Sequence, residues 1–223
     1  MNKKSNMSVL LAIAFIFLLM IIFVAYTFCT MDSNLYYTNA DFGIDDYIST
    51  VDMDGDGIDD QTDILLNTRE YIATKPKYKS EYYQTGYPTG EYGVCTDVVG
   101  YALKNSGYDL MTLVNEDITE NTKDYDIEKI DINIDFRRVK NLRVYFEHNA
   151  TSLTTDIHQT DQWQGGDIII FEDHIGIVSD KRNENGVPYI IHHAYVGQKN
   201  YEEDVLESRL PSYTNITGHY RVS

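Results

Sequence analysis

Cysteine is scarce in this chain of 223 residues, which contains only Cys29 and Cys95. Cys29 ends an N-terminal apolar run, so Cys95 has no cysteine partner in the rest of the chain. A framework of disulfide bonds, which stabilises many small secreted domains, is therefore excluded. An unpaired thiol outside the cytoplasm is a liability unless it is buried or has a function. Cys95 is for this reason the first candidate functional residue.

Positive charge is also scarce, since 18 Lys and Arg face 35 Asp and Glu, a net charge of −17. An acidic surface repels phosphate backbones, so nucleic acid is not expected as a partner. Low-complexity tracts and internal repeats are absent from the sequence. The residues after the apolar run, about 190, suffice for one domain with a sizeable core.

An N-terminal apolar run extends from Val9 to Phe28 without a charge, and Lys3 and Lys4 precede it. Twenty helical residues span about 30 Å, which matches the hydrocarbon core of a bilayer. The two lysines place the N-terminus in the cytoplasm. Residues 1–30 are thus predicted to form a single-pass anchor in the cell membrane, with the lipid bilayer around residues 9–28 and the rest of the chain outside. Cleavage as a signal peptide, or lipidation at Cys29, is the alternative.

Three further regions follow the predicted anchor. Residues 31–50 are polar and are predicted to be a spacer, and residues 51–74 are predicted to form an acidic loop and a helix. Residues 75–223 are predicted to form the main domain. Helical periodicity from Cys95 to Leu103 comes early in this domain, while short β-branched segments separated by turn residues dominate after residue 163. This order predicts an α+β fold in which the helix that carries Cys95 packs on a small antiparallel sheet.

Histidines near two of the predicted strands could serve Cys95 as a general base. His174 begins one strand, and His192 and His193 end the next. A thiol nucleophile needs an imidazole within hydrogen-bond reach and a third group that orients the ring. Side chains alternate across a sheet, so only one of His192 and His193 can face the helix. The alternative is that Cys95 simply packs in the core as part of the apolar stripe of its helix.

The position of Cys95 at the start of its helix predicts a reactive thiol. A helix N-terminus carries a partial positive charge, and an imidazolium ion nearby would add to it. Both effects favour the thiolate, so we expect the pKa of the thiol to fall and alkylation to have its midpoint below pH 7.

The motifs around these residues resemble a known family. A helix-borne cysteine followed by Gly166–Phe171, His174–Val178 and Ile190–His192 is similar to the NlpC-type, papain-like cell-wall cysteine peptidases. A closer resemblance, over about residues 50–222, is to a bacterial family of domains of unknown function that is assigned to the same superfamily. It rests on three further segments: Gly93–Val99, Asn133–Val139 and Gly218–Arg221.

This resemblance implies a papain-like fold with Cys95 as the nucleophile, His174 as the base and His192 as the ring-orienting residue. It implies hydrolysis of an amide bond in a peptide substrate, namely the peptides of cell-wall peptidoglycan, without a catalytic cofactor. Two sequence departures bear on this. Thr96 and Asp97 follow Cys95 where NlpC-type enzymes have Ser-Gly, and His193 stands where the closer family has Asn.

Substrate contacts are predicted for Arg137, Arg138 and Tyr92. An arginine binds a carboxylate with two parallel hydrogen bonds, and Tyr92 could line a groove. Structural ion pairs are the alternative for both arginines, because the chain is rich in acids. Two other functions also stay open: an inactive cell-surface binding module of the same fold, and a thiol acyltransferase.

An acidic loop indicates a structural Ca²⁺ site. Its oxygen donors follow the spacing of an EF-hand loop, in which a glycine permits the sharp turn. Position 12 carries an aspartate where EF-hands have glutamate, and Asp59 stands at a position that is usually apolar. An uncomplexed turn that caps the following helix is the alternative. The predicted ligands are Asp52, Asp54, Asp56, the carbonyl group of Ile58, and Asp63.

Overall fold

The computed structural model describes residues 36–207 and 215–222, together with Ile16 and Met20. The predicted anchor, residues 9–28, therefore lies outside the described residues apart from these two. Within the described part of the chain, no helix is both long enough and apolar enough to cross a bilayer.

The order of elements follows the predicted one, with the helices ahead of the sheet. The helices are α1 (Asp60–Ala73), α2 (Cys95–Asn105), α3 (Leu110–Glu120), α4 (Ile132–Asp135) and α5 (Val139–Asn149). The strands are β1 (Lys77–Tyr78), β2 (Tyr92–Gly93), β3 (Thr151–Ser152), β4 (Ile168–Phe171), β5 (Ile175–Arg182), β6 (Pro188–Ile191), β7 (Glu202–Glu203) and β8 (Ile216–Arg221).

Six of these strands form one antiparallel sheet in the order β3-β8-β4-β5-β6-β7. Strands β1 and β2 pair separately and in parallel. The prediction of an α+β fold with a small antiparallel sheet is therefore confirmed.

Helix α2 packs on one face of the sheet. Its apolar residues, among them Val98, Val99 and Ala102, share a core with Ile168 and Ile177 of the sheet. Residues on the opposite face, such as Ile169 and Val178, pack with Trp163 and Val205 in a second core. Because both faces are covered, all four residues of β4 are buried.

Residues 36–50 pack against the sheet, although the sequence predicted residues 31–50 to be a spacer. Tyr37 and Arg182 exchange backbone hydrogen bonds of 2.7 and 2.8 Å. Asn39, which is 4% exposed, accepts a hydrogen bond from the Arg182 side chain and donates one to Gln164. The buried guanidinium of Arg182 needs such acceptors, and this need ties the segment to the domain.

Asp167 holds the sheet to helix α1, and it belongs to the Gly166–Phe171 motif. Its fully buried carboxylate accepts hydrogen bonds from His219, Arg221 and Gln61. His219 also stacks on Trp163 with ring centroids 3.7 Å apart. The motif residues Asp167, His219 and Arg221 therefore have a structural role at the junction of β4 and β8.

Candidate active site

Cys95 is the first residue of α2, as the helical periodicity predicts. The preceding strand β2 and the extended residue Val94 bring the chain to this point. Asp97 holds the turn because its carboxylate accepts a hydrogen bond of 2.8 Å from the Val94 N–H. The thiol is buried, and Cys95 as a whole residue is 9% exposed.

Burial is the dominant effect on the Cys95 thiol and raises its pKa to about 11. Hydrogen bonds from the backbone N–H groups of Ile175, Thr96 and Cys95 itself act in the opposite direction, and the charge of Asp97 adds to the rise. The expected fall of the pKa is therefore reversed, because desolvation outweighs the helix N-terminus. The contact with Ile175 places the sulfur beside the residue that directly follows His174.

His174, His192 and Glu203 form a chain of hydrogen bonds. Nε2 of His174 lies 2.8 Å from Nδ1 of His192, and Nε2 of His192 lies 3.0 Å from Oε2 of Glu203. His192 is fully buried, while His174 is partly exposed. Gln198 also donates to Glu203, at 3.1 Å. Of the two candidate histidines, it is therefore His192 that contacts His174.

The direction of these hydrogen bonds follows from Glu203. A carboxylate only accepts, so Nε2 of His192 carries the proton and Nδ1 of a neutral His192 is an acceptor. His174 must then donate from its Nε2, and its Nδ1 keeps the lone pair. Burial, with the nearby His192 and His193, lowers the pKa of His174 to about 3. At neutral pH this imidazole is therefore unprotonated, as a general base must be, and its low pKa makes it a weak base.

Gly176 provides the space that His192 occupies. A Cβ atom at this position would lie 3.3 Å from Cβ of His192 and 2.7 Å from Cγ2 of Ile190. The second contact is closer than side chains tolerate, so a larger residue would shift β6. The close packing of Ile190 and His192 thus explains why the His174–Val178 motif has a glycine at position 176.

We expect native Cys95 to react slowly with iodoacetamide at neutral pH. Only the thiolate reacts, so a rise in pKa from 9.0 to about 11 lowers the rate at pH 7 about 100-fold relative to the unfolded chain. The rate of alkylation should rise with pH, and the midpoint of this rise should lie near pH 11. Mass spectrometry of the alkylated peptides separates Cys95 from Cys29. A midpoint below pH 7 would contradict this expectation and indicate a preformed thiolate–imidazolium pair.

Two clefts share Tyr92 and Pro76, and neither is lined by Cys95, His174 or His192. One, of about 570 Å³, is lined by Tyr78, His193 and several lysines. The other, of about 630 Å³, is lined mainly by tyrosine, threonine and proline side chains. Tyr92 lines both clefts, and its contact with substrate stays a prediction.

The two predicted substrate-binding arginines lie elsewhere. Arg137 forms a buried bidentate ion pair with Asp97, with distances of 2.7 and 2.9 Å, and its third nitrogen donates to the carbonyl group of Glu81. All three of its nitrogens thus donate to acceptors within the protein, as in the alternative of a structural ion pair, and substrate binding by Arg137 stays a prediction. Arg138 is 43% exposed and pairs with Asp135 at 3.1 Å. Neither arginine lines the two clefts.

The acidic loop brings three of the five predicted metal ligands together. Carboxylate oxygens of Asp52, Asp54 and Asp56 lie within 4.8 Å of one another, on the surface. Asp63 is outside this group and 6% exposed; burial first, and then the charges of Asp54 and Asp56, raise its pKa. Asp59, rather than these residues, caps α1. Such a set of oxygen donors, followed by the carbonyl group of Ile58, fits a hard cation, and Ca²⁺ binding stays a prediction.

Calcium at 5 mM should raise the free energy of unfolding by about 1–2 kcal/mol if the dissociation constant is 10⁻⁴–10⁻³ M. A cation would relieve the repulsion between the clustered carboxylates, and thermal unfolding measures the effect. The double substitution D54N/D56N should abolish it, whereas D173N, at another exposed aspartate, should not. An unchanged calcium effect in D54N/D56N would place any bound ion elsewhere.

Comparison with known proteins gives a family. The family described as Domain of unknown function (DUF1287) matches residues 65–222, a range that includes Cys95, His174, His192 and Glu203. The "Uncharacterized protein YijF" of Escherichia coli (strain K12) is 37% identical over 171 residues, which cover 71% of this chain and 80% of that protein. No solved structure gives a significant match. The predicted resemblance to a family of domains of unknown function is confirmed, and the chain belongs to the DUF1287 family.

Proposed function

We propose that this protein is a cysteine hydrolase of the cell envelope that cleaves an amide bond in peptidoglycan peptides. The observation that carries the proposal is the hydrogen-bonded chain His174–His192–Glu203, together with the hydrogen bond between the Cys95 thiol and the backbone of Ile175, the residue that directly follows His174. The resemblance to NlpC-type, papain-like peptidases supports it, and so does the apolar run at residues 9–28, which would hold the domain at the outer face of the membrane.

The chemistry begins with a neutral thiol and a neutral imidazole. Nδ1 of His174 takes the proton as the sulfur of Cys95 attacks the carbonyl carbon, so the proton moves during attack rather than before it. The backbone N–H of Cys95, at the start of α2, stabilises the oxyanion. Collapse of the tetrahedral intermediate breaks the C–N bond, and His174 returns its proton to the leaving amine.

Hydrolysis of the thioester completes the cycle. His174 takes a proton from the attacking water, and the carboxylate product leaves as the proton returns to the sulfur. His192 and Glu203 hold the imidazole in the tautomer with a basic Nδ1 in both halves of the reaction. They act as positioning residues, because neither exchanges a proton with the substrate.

Digestion of purified peptidoglycan tests the proposal. We expect the wild-type protein to release peptide fragments with new carboxyl and amino termini, identified by mass spectrometry. C95A and H174A should release none, whereas C29S, which removes the other thiol, should match the wild type. Fragments joined to an added amine would indicate an acyltransferase. Binding without any product would indicate the inactive binding module.

A further inference from the structure

The smaller of the two clefts is lined by positively charged side chains, although the protein as a whole is acidic. It is lined by Lys75, Lys77 and Lys199, and no acidic side chain is among its described lining residues. Lys77 pairs with Glu91 at 2.7 Å, on the surface. Within the described part of the chain, Lys75 and Lys199 have no carboxylate within 4.0 Å. In a chain with a net charge of −17, such a cleft concentrates positive potential.

Lys75 lines this cleft, and its backbone is strained. It is the only non-glycine residue with a positive φ, of 54°, among the described residues. It follows the end of α1, where its N–H donates to the carbonyl group of Ile72 at 3.0 Å. Glycine is the usual residue at such a position, and a lysine there costs about 1 kcal/mol. Strain of this kind is found more often at functional sites than elsewhere.

The floor of the cleft borders the active site. His193 is 1% exposed, and its Nδ1 has no hydrogen-bond partner in the described residues. Its ring lies edge-on to Tyr78 and Tyr201, with centroids 5.2 and 5.1 Å apart. Burial raises the pKa of Tyr78, and the charge that Cys95 carries when ionised adds to the rise. His193, which lines the cleft, directly follows His192 of the hydrogen-bonded chain. The cleft and this chain therefore meet just after the end of β6.

We propose that this cleft binds a carboxylate of the peptide substrate, held by Lys75 and Lys199 next to the bond that Cys95 attacks. The inference rests on the proposed function and adds the substrate class: peptides with an acidic residue or a free carboxyl end near the cleaved amide. A phosphate ligand is less well matched, because neither an arginine nor a helix N-terminus lines the cleft. The aspartates and glutamates elsewhere would repel such a peptide, so the lysines also direct where it binds.

Binding to the full-length C95A protein in detergent tests this subsite without any turnover. The probes are acetyl-Ala-Glu-Ala with a free carboxyl end and its neutral counterpart, acetyl-Ala-Gln-Ala amide. Calorimetry should show the acidic peptide binding at least about tenfold more tightly, and 0.5 M NaCl should remove most of the difference. The acidic peptide should also shift the NMR signals of the His193 ring.

Three variants separate this subsite from general charge. K75Q/K199Q should weaken binding of the acidic peptide about tenfold and leave the neutral one unchanged. K129Q, at an exposed lysine outside both clefts, should bind like the parent protein. Equal affinity for the two peptides, a K75Q/K199Q protein that binds like K129Q, or inorganic phosphate binding more tightly than the acidic peptide would overturn the proposal.

The failure of this subsite is distinguishable from the failure of the proposed function. Lysine-dependent binding of the acidic peptide in a protein that never cleaves peptidoglycan would keep the subsite and remove the hydrolase. Cleavage that depends on Cys95 but shows no preference for acidic peptides would keep the hydrolase and remove the subsite.

Discussion

Replacing Glu203 by alanine should slow peptide cleavage about 10²–10⁴-fold, the range that general base catalysis contributes. Without the carboxylate, His192 is able to carry its proton on Nδ1 and donate it to His174. His174 then holds its own proton on Nδ1, where it cannot accept one from Cys95. The rate constant kcat should fall while KM stays near its original value, because Glu203 does not line either cleft.

E203Q is the matched control for this effect. Its amide oxygen still accepts a hydrogen bond from His192, but without a negative charge, so we expect a loss of only about tenfold. Circular dichroism should show both variants folded. Full activity in E203A would contradict the assigned direction of the hydrogen bonds and reduce Glu203 to a structural role.

Replacing Arg137 by alanine should lower the free energy of unfolding by about 3–5 kcal/mol. The side chains of Arg137 and Asp97 are 2% and 0% exposed, so removing the cation leaves an uncompensated carboxylate in the core. Asp97 also fixes the first turn of α2. Loss of the ion pair should therefore also disturb the position of Cys95, the first residue of this helix. Urea denaturation measures the change.

The neighbouring arginine provides the comparison. Arg138 is 43% exposed and makes a single ion pair with Asp135, so R138A should cost less than about 1 kcal/mol. The two variants remove the same side chain from adjacent positions. Equal losses of stability would mean that burial of the Arg137 pair does not determine its contribution.

Local patterns were sufficient to predict the elements that carry the site. The spacing of apolar residues predicted the helix from Cys95, and Gly107, with a φ of 90°, follows its end. The Asn183–Gly186 turn joins β5 to β6, so the strand ends with His174 and His192 lie together. Periodicity and turn chemistry are short-range signals, and these features depend on little else.

Long-range contacts were not predictable in the same way. Glu203 reaches His192 only because the two-residue strand β7 pairs with β6, and no periodic pattern marks so short a strand. The ion pair between Arg137 and Asp97 joins residues 40 apart in sequence, and no local pattern indicates such a partner. The pKa of Cys95 depends on desolvation by the whole core, and a sequence window shows only the helix N-terminus.

The most direct measurement is the capture of the acyl-enzyme. Wild-type protein is mixed with purified peptidoglycan and quenched in acid within seconds, and its peptides are analysed by mass spectrometry. We predict that the peptide containing Cys95 gains the mass of an acyl fragment that hydroxylamine removes, and that H174A shows no such gain. Cleavage products that accumulate while Cys95 stays unmodified, or that appear equally with C95A, would contradict the account.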